Sequence, residues 1–265
     1  MITCKDVSVK IGQAQLLRKV GFTVEEGQWL GVIGPNGAGK STLLRVLAGR
    51  QQHAGVVEIG GESVLSRRSR SHVIAYLEQT PTVPEGMFVA DYVMLGRTPH
   101  LSPFGNEREL DHQVVSEVLN RLDLTDMAGR RLDTLSGGER QRVLIGRALA
   151  QSAPVVLLDE PTTALDLGHQ QEVLELLDEL RRTRSLTLVS TMHDLTLAGQ
   201  YPDTLVMIDK GEIVASGSAL EVLTPERIVG HYRANVEVRD GVVRPVRPTQ
   251  QKLAWQPGSG HTLER

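Results

Sequence analysis

The sequence predicts an α/β fold in which a mostly parallel sheet is covered by helices on both faces. Short apolar segments at residues 29–34, 155–159 and 186–191 are typical of strands buried on both sides. Helical periodicity follows the first two of these strands, at residues 43–47 and 169–182. Strands that alternate with helices in this way usually form a parallel sheet.

The other elements follow from shorter patterns. Apolar or β-branched segments predict further strands at residues 7–11, 21–24, 56–59, 73–77, 205–208 and 212–215. The last two flank the turn Asp209-Lys210-Gly211, which predicts a hairpin. In the helix over 169–182, four apolar residues share one side: Val173, Leu174, Leu177 and Leu180.

Between about residues 81 and 150 the pattern is helical. One predicted helix face repeats every fourth residue, at Leu110, Val114, Val118 and Leu122. We therefore expect a domain over 1–247 with a helical insert at about 81–152, and a core at about 1–80 and 153–230. The polar, aperiodic residues 248–265 contain Pro and Gly and predict a flexible tail.

Composition excludes several classes of protein. The 265-residue chain has a formal net charge of −3, which gives no electrostatic footprint for nucleic acid. The short basic run at 67–70 is interpreted as a solvated face, and the single cysteine, Cys4, indicates a reducing compartment. The first residues lack the pattern of a signal peptide, and no apolar run approaches the ~20 residues that cross a bilayer. We expect a cytoplasmic chain that does not span the membrane.

The segment "GPNGAGKST" at residues 34–42 fits the pattern G-x-x-x-x-G-K-[ST] and lies between a predicted strand and a predicted helix. Its glycines let backbone N–H groups face phosphate oxygens. Lys40 would reach the β- and γ-phosphates, Ser41 would offer its hydroxyl to Mg²⁺, and Thr42 would lie near the α-phosphate. The candidate nucleotide-binding residues here are Gly34, Pro35, Asn36, Gly37, Ala38, Gly39, Lys40, Ser41 and Thr42.

The apolar strand "VVLLD" at residues 155–159 ends in one carboxylate, Asp159, and a second, Glu160, follows it. Because ligands gather at the carboxyl ends of parallel strands, Asp159 is expected beside the phosphates, where it could hold Mg²⁺ directly or through water. Glu160 points differently and is the candidate general base for the attacking water. An acidic pair after a strand can also simply open a loop, and the neighbouring Lys40 motif favours the catalytic interpretation.

The segment "LSGGERQR" predicts a second anion site. Ser136 and Glu139 form a capping box, and the two glycines between them supply free backbone N–H groups at the helix start. A capped helix start also occurs in proteins without a ligand, but one glycine would suffice for a turn.

Five patterns in order make the resemblance specific: "GPNGAGKST", Gln79 in "YLEQ", "LSGGERQR", "VVLLDEPTTALD", and His193 in "STMHD". Over about residues 1–230 the sequence resembles the ATP-binding-cassette (ABC) family. The resemblance implies a P-loop NTPase core of RecA type, an antiparallel β subdomain, and a helical insert that carries the LSGGE signature. It implies ATP and Mg²⁺ as cofactors.

In this family two cassettes pair head to tail, with ATP between the phosphate loop of one and the LSGGE segment of the other. By resemblance, Ser136, Gly137 and Gly138 contact the partner's γ-phosphate. Gln79 senses Mg²⁺ and the attacking water, so the metal set is Ser41, Gln79 and Asp159. His193 contacts the γ-phosphate, and Asp166 crosses the dimer seam. Without this context, Gln79, His193 and Asp166 would be an ordinary loop residue, a strand-end histidine and a helix cap.

One position departs from the family pattern. Where the family usually stacks an aromatic side chain on adenine, after the first strand, this sequence offers Ile11. We expect apolar contact in place of stacking, and therefore relaxed discrimination between ATP and GTP.

The segment "EGMFVADYVMLGRTPH" and the ending "GEIVASGSALEVLTPERIVGHYRANVEV" resemble the cassettes of importers for iron–siderophore chelates, haem and cobalamin. This implies a homodimer on the inner face of the membrane, two membrane-spanning permease subunits and, indirectly, a substrate-binding protein. The permease's coupling helix docks near the segment that follows Gln79. The alternative for Arg97, Pro99 and His100 is an exposed loop without a role.

Other classes remain as alternatives. A cytosolic ATPase of iron–sulfur cluster assembly shares the cassette without a membrane partner, and an exporter cassette differs only in its partner. A chromosome-maintenance ATPase needs a long heptad-bearing insertion, and the interval from Thr42 to Leu135 is too short and lacks heptads.

Overall fold

The computed structural model describes residues 1–63, 66–102, 105–163 and 165–247. The strands in chain order are β1 (Ile2–Ile11), β2 (Ala14–Val24), β3 (Trp29–Ile33), β4 (Ala54–Ile59), β5 (Ile74–Leu77), β6 (Val155–Asp159), β7 (Thr187–Thr191), β8 (Thr204–Asp209), β9 (Glu212–Gly217), β10 (Val236–Arg239) and β11 (Val242–Pro245). The α-helices are α1 (Lys40–Leu47), α2 (Arg67–Val73), α3 (Val89–Met94), α4 (Glu109–Arg121), α5 (Gly137–Ala150), α6 (Leu167–Arg184), α7 (Leu195–Ala198), α8 (Ala219–Val222) and α9 (Pro225–Tyr232). Short 3-10 helices lie at Leu95–His100, Thr125–Met127 and Leu132–Thr134.

The central sheet confirms the predicted α/β class. Its strand order is β5-β6-β7-β3-β8-β9, and every pairing is parallel except the last, the predicted hairpin of β8 and β9. All residues of β3, β6 and β7 are buried, as their apolar sequences predict. The carboxyl ends of these three strands therefore meet at one edge of the sheet, where ligands of such sheets bind.

A smaller antiparallel sheet, in the order β2-β1-β4, packs on one face of the central sheet. Helix α1 shares this core, because Leu43 and Leu44 are fully buried in the same cluster as Val7 of β1 and Val32 of β3. The antiparallel β subdomain implied by the resemblance is thus present. Its burial against α1 fixes the helix that begins at the phosphate loop.

The other face of the central sheet carries the helical segment. Helices α3, α4 and α5 share one apolar core with β3 and with α6, whose four predicted core residues are all buried. The predicted face of α4 was wrong in part, since Leu110 is 56% exposed. The buried stripe runs through Val115, Val118, Leu119 and Leu122. A real helix repeats every 3.6 residues, so a strict four-residue repeat drifts off the face.

One strand boundary and the alternative for Arg97 were wrong. The basic run at 67–70, interpreted as a solvated face, lies in helix α2, where Arg68 is exposed as expected. Ser66 begins this helix by accepting a hydrogen bond from the Ser69 backbone N–H, so the next strand starts at Ile74 and not at Val73. Arg97, interpreted in the alternative above as part of an exposed loop, is only 3% exposed.

The C-terminal region also holds unpredicted structure. Helix α9 is followed by the hairpin of β10 and β11, whose turn places Asp240 and Gly241 at positive φ. An Asp-Gly pair between β-branched segments is a recognisable hairpin signal. The predicted tail at 248–265 lies outside the described residues, and the proposed division into core and insert stays a prediction. Across the described ranges, no helix combines the length and apolarity needed to traverse a bilayer.

Candidate active site

The phosphate loop joins the end of β3 to the start of α1, and two of its glycines are sterically required. Gly34 has φ 149°, and a Cβ there would lie 2.0 Å from the carbonyl oxygen of Ile208 on β8. Gly39 has φ 112°, and its Cβ would lie 2.8 Å from the carbonyl oxygen of Leu16. Larger residues would push the loop away from both neighbours, so the sequence GPNGAGK specifies a tight backbone turn.

Lys40 lies beneath this loop. It is only 6% exposed, and its ammonium donates hydrogen bonds to the carbonyl oxygens of Gly34 at 2.7 Å and Pro35 at 3.2 Å. Burial lowers the pKa of Lys40, while the nearby charges of Glu160 and Asp159 act in the opposite direction. A compact, three-donor cation held at the mouth of a glycine-lined loop is suited to bind phosphate oxygens.

Asp159 ends β6 at the same edge and is 2% exposed. Its Oδ1 accepts hydrogen bonds from the hydroxyls of Ser41 at 3.1 Å and Thr191 at 2.8 Å. The predicted metal ligands Ser41 and Asp159 are therefore side by side, next to Lys40. Hydroxyl and carboxylate oxygens are the donors that Mg²⁺ prefers, and it usually takes one or two protein ligands plus phosphates and waters. These residues fit Mg²⁺.

Glu160 forms the centre of a hydrogen-bonded cluster. Its Oε2 accepts from Gln79 Nε2 at 2.7 Å and from Thr163 Oγ1 at 3.2 Å, and its Oε1 contacts His193 Nε2. Its backbone has φ 54° and donates to Thr191 Oγ1 at 2.8 Å. A non-glycine residue at positive φ is uncommon, and this conformation turns the carboxylate away from that of Asp159. Three strand ends thus converge on one carboxylate.

The structure brings one set of predicted residues together: Lys40, Ser41, Gln79, Asp159, Glu160 and His193. Sequence reasoning missed Thr163 and Thr191, which fix the two acidic residues. Thr163 could have been found from the second threonine of "EPTT", which lies three residues after Glu160. Thr191 contacts Asp159 because β6 and β7 are paired, which no local pattern indicates.

A second, exposed set lies at the start of α5. The predicted capping box is present: the Ser136 backbone N–H donates to Glu139 Oε2 at 2.7 Å, and the Glu139 backbone N–H donates to Ser136 Oγ at 3.3 Å. The hydrogen bond from the Ser136 backbone lowers the pKa of Glu139. The helix start therefore holds its own carboxylate, while the N–H groups of the following glycines have no intrahelical acceptor.

Asp166 lies next to this helix start. It begins α6 by accepting a hydrogen bond from the His169 backbone N–H at 3.0 Å, which lowers its pKa, and its side chain is 70% exposed. The neighbouring Leu165 side chain lies 3.5 Å from the position of a Cβ on Gly138. The start of α5 at Gly138 and the start of α6 at Asp166 are therefore neighbours, with the buried Leu165 between them. Ile11 is 54% exposed at the end of β1.

A phosphate loop over a buried lysine, with an acidic pair at the end of a nearby strand of the same sheet, defines a P-loop nucleoside triphosphatase. Residues 17–163 match the family described as ABC transporter. The chain is 35% identical over 240 residues to the iron(3+)-hydroxamate import ATP-binding protein FhuC of Bacillus subtilis (strain 168), with 89% of each chain covered. The chain belongs to the ABC transporter family.

Further relatives differ in the cargo that their names state. The cobalamin import ATP-binding protein BtuD of Halobacterium salinarum is 41% identical over 235 residues, which cover 88% of this chain and 58% of that protein. A structure described as an inward-facing conformation of a putative metal-chelate type ABC transporter has a TM-score of 0.79 at 30% identity, covering 92% of this chain and 96% of that one.

A second solved structure bears on the chemistry. It is a dimeric, post-hydrolysis ATP-binding cassette bound to ADP and Pi, with a TM-score of 0.75 at 26% identity, covering 82% of this chain and 98% of that one. Together these similarities identify this chain as an ATP-binding, ATP-hydrolysing subunit of an ABC transporter.

Proposed function

We propose that this chain is the ATPase of a bacterial importer that takes up an iron–siderophore chelate, haem or cobalamin. The single observation that supports it most is its similarity over nearly its whole length to import ATP-binding proteins named for such cargoes. The cargo would pass through separate membrane subunits, which would hold this chain at the inner face of the membrane. Selectivity for the cargo would lie in those subunits and in a substrate-binding protein.

In the proposed chemistry, Lys40 and the loop N–H groups bind the β- and γ-phosphates, and Thr42 lies near the α-phosphate. Ser41, Asp159 and Gln79 would hold Mg²⁺, which neutralises phosphate charge when bound. Glu160 accepts the proton of the attacking water at a carboxylate oxygen. Gln79 and His193, both in contact with that carboxylate, orient the water and the γ-phosphate. The burial of Glu160 supports this role, since few bulk waters can compete there.

The chain would act as a homodimer with two shared ATP sites. The exposed helix start at Ser136, with Gly137 and Gly138, would donate N–H groups to the γ-phosphate held by the partner. Asp166, whose side chain is 70% exposed beside this helix start, would cross the seam. The dimeric cassette among the solved relatives supports this arrangement. An ATP site within one chain would be incomplete, because its phosphate loop would lack the N–H donors that the partner's helix start supplies.

A groove between the core and the helical segment is the proposed permease site. Its volume is about 1010 Å³. Arg70 and Tyr76 line it from the core, and Leu95, Pro99 and Arg147 line it from the helical segment. Leu95 is 39% exposed, so the groove offers an apolar wall and basic side chains to a short helix. This is also the region that follows Gln79, where the family docks its permease.

The test is reconstitution. The chain is co-expressed with a candidate many-helix permease from the same genome, and purified in detergent and in proteoliposomes. We expect the two to co-purify, and ATP-dependent uptake of one labelled probe among a ferric hydroxamate, haem and cobalamin. Vesicles with permease alone provide the control. Co-purification with a soluble scaffold and none with the permease would replace the importer by the iron–sulfur assembly alternative, and outward transport would replace it by the exporter.

A further inference from the structure

An internal ion pair connects the 3-10 helix after α3 to the start of α4. Arg97 Nε donates to Asp111 Oδ1 at 3.0 Å, and both residues are almost fully buried, at 3% and 0% exposure. Burial of the carboxyl acts to raise its pKa, yet hydrogen bonds from the Arg108 backbone and from Arg97 hold the pKa of Asp111 at about 2. A buried pair of this kind is costly to break from one side, since a single charge is then left without compensation.

The same arginine reaches a third element, the C-terminal end of α5. Its Nη1 donates to the carbonyl oxygen of Ala150 at 2.8 Å and to Ser152 Oγ at 3.0 Å. Gly96 makes this approach possible, because a Cβ there would lie 2.3 Å from the carbonyl oxygen of Arg147. Glycine at position 96 therefore allows the backbone of this 3-10 helix to lie against the backbone of α5, and Arg97 then bonds the end of α5.

A second set of bonds joins this helix end to the core. The amide of Gln151 donates to the carbonyl oxygens of Ser71 at 2.7 Å and Ile74 at 2.5 Å. His100 Nε2 lies 2.8 Å from the carbonyl oxygen of Gln151. The end of α5 is thus tied on one side to α2 and β5, and on the other to the segment that contains Arg97. Both sides line the proposed permease groove.

Helix α5 connects this groove to the exposed anion site. Its 14 residues start next to Ser136 and end at Ala150, a length of about 21 Å at 1.5 Å per residue. A continuous helix transmits displacement between its ends as a rigid element. The N-terminal end would contact the partner's ATP, and the C-terminal end is held at the groove.

We propose that Arg97 is a positioning residue that fastens the groove wall at 95–100 to the C-terminal end of α5, so that movement of the permease and of the signature segment are coupled. This inference rests on the proposed function. Arg97 lies away from the phosphate loop and would act through its bonds to Ala150 and Asp111. Its loss would separate ATP hydrolysis from transport without altering the phosphate loop.

The experiment uses the reconstituted complex with Arg97→Met and measures labelled probe imported per ATP hydrolysed. We expect this ratio to fall at least about fivefold, the lower end of typical coupling between sites. We expect the KM for ATP and the hydrolysis rate of the isolated subunit to stay at the wild-type level, because Arg97 bonds Asp111, Ala150 and Ser152, away from the phosphate loop. Arg97→Lys keeps a charge facing Asp111 but lacks the fork that also reaches Ala150, so we expect a partial loss.

Arg108→Met is the matched control. Arg108 also donates to Asp111 at 3.4 Å, and to the carbonyl oxygen of His100 at 3.2 Å, but its side chain is 61% exposed and neither bond joins the groove wall to α5. We expect normal coupling in this variant. An unchanged import ratio in a folded Arg97→Met or Arg97→Lys complex would overturn the inference while leaving the proposed function intact. A wild-type complex that imports none of the probes would contradict the proposed function, and the inference with it.

Discussion

The Glu160→Gln variant is expected to bind ATP and to lose turnover by about 10²–10⁴-fold, the contribution typical of a positioned general base. The amide keeps the shape of the side chain, so Gln79 and Thr163 retain an acceptor at one oxygen. The amide cannot take the proton of the attacking water. With ATP bound and unable to react, the protein should accumulate as a dimer.

Steady-state phosphate release and size-exclusion chromatography with ATP measure both effects. Glu172→Gln provides the control, since it removes an exposed carboxylate from α6 and should leave turnover within the range of wild type. Glu160→Gln protein that hydrolyses ATP at the wild-type rate would remove Glu160 from the role of general base.

The second large effect is expected at Lys40. In Lys40→Met the ammonium between the loop carbonyls and the acidic residues is lost, and with it the cation that faces the β- and γ-phosphates. Truncating one partner of a buried charge pair costs about 2–5 kcal/mol, so we expect ATP affinity to fall by at least about 30-fold.

Isothermal titration with ATP checks this value. Lys5→Met is the control because its side chain is 64% exposed and pairs with Glu58 on the antiparallel sheet, away from the phosphate loop. Full ATP affinity in Lys40→Met would mean that the loop N–H groups bind the phosphates alone. That result would contradict the proposed role of the lysine.

The phosphate loop could be predicted residue by residue because its chemistry is contiguous in sequence. Gly34 and Gly39 are required by close backbone neighbours, and Lys40 and Ser41 follow at fixed spacing. The strands β3, β6 and β7 could be predicted equally well, since strands buried on both faces have apolar sequences without alternation. The backbone conformation of Glu160 could not be predicted from the sequence, because a positive φ at a non-glycine residue depends on tertiary contacts.

Arg97 illustrates what sequence alone could not provide. An arginine beside Pro and His in a polar segment is normally solvated, and its burial depends on Asp111 lying 14 residues later and on Ala150 lying 53 later. Helix α2 was missed for a related reason, since its polar sequence has no apolar periodicity and its start depends on the Ser66 cap. The burial of Arg97 depends on long-range pairing, and the start of α2 depends on helix capping.

The central claim is that each ATP site is built from the phosphate loop of one chain and the LSGGE helix start of another. A mixing experiment tests it most directly, with Lys40→Met and Ser136→Arg, each inactive alone. Random pairing makes half of the dimers mixed, and in a head-to-tail dimer each mixed pair has one intact site.

The measurement is ATP hydrolysis by the two variants, alone and after mixing in equal amounts at a concentration that favours dimers. The account predicts recovery toward about a quarter of wild-type activity, because half of the pairs regain one of two sites. Activity that stays at the level of the separate variants, or a Ser136→Arg protein that is fully active by itself, would contradict it.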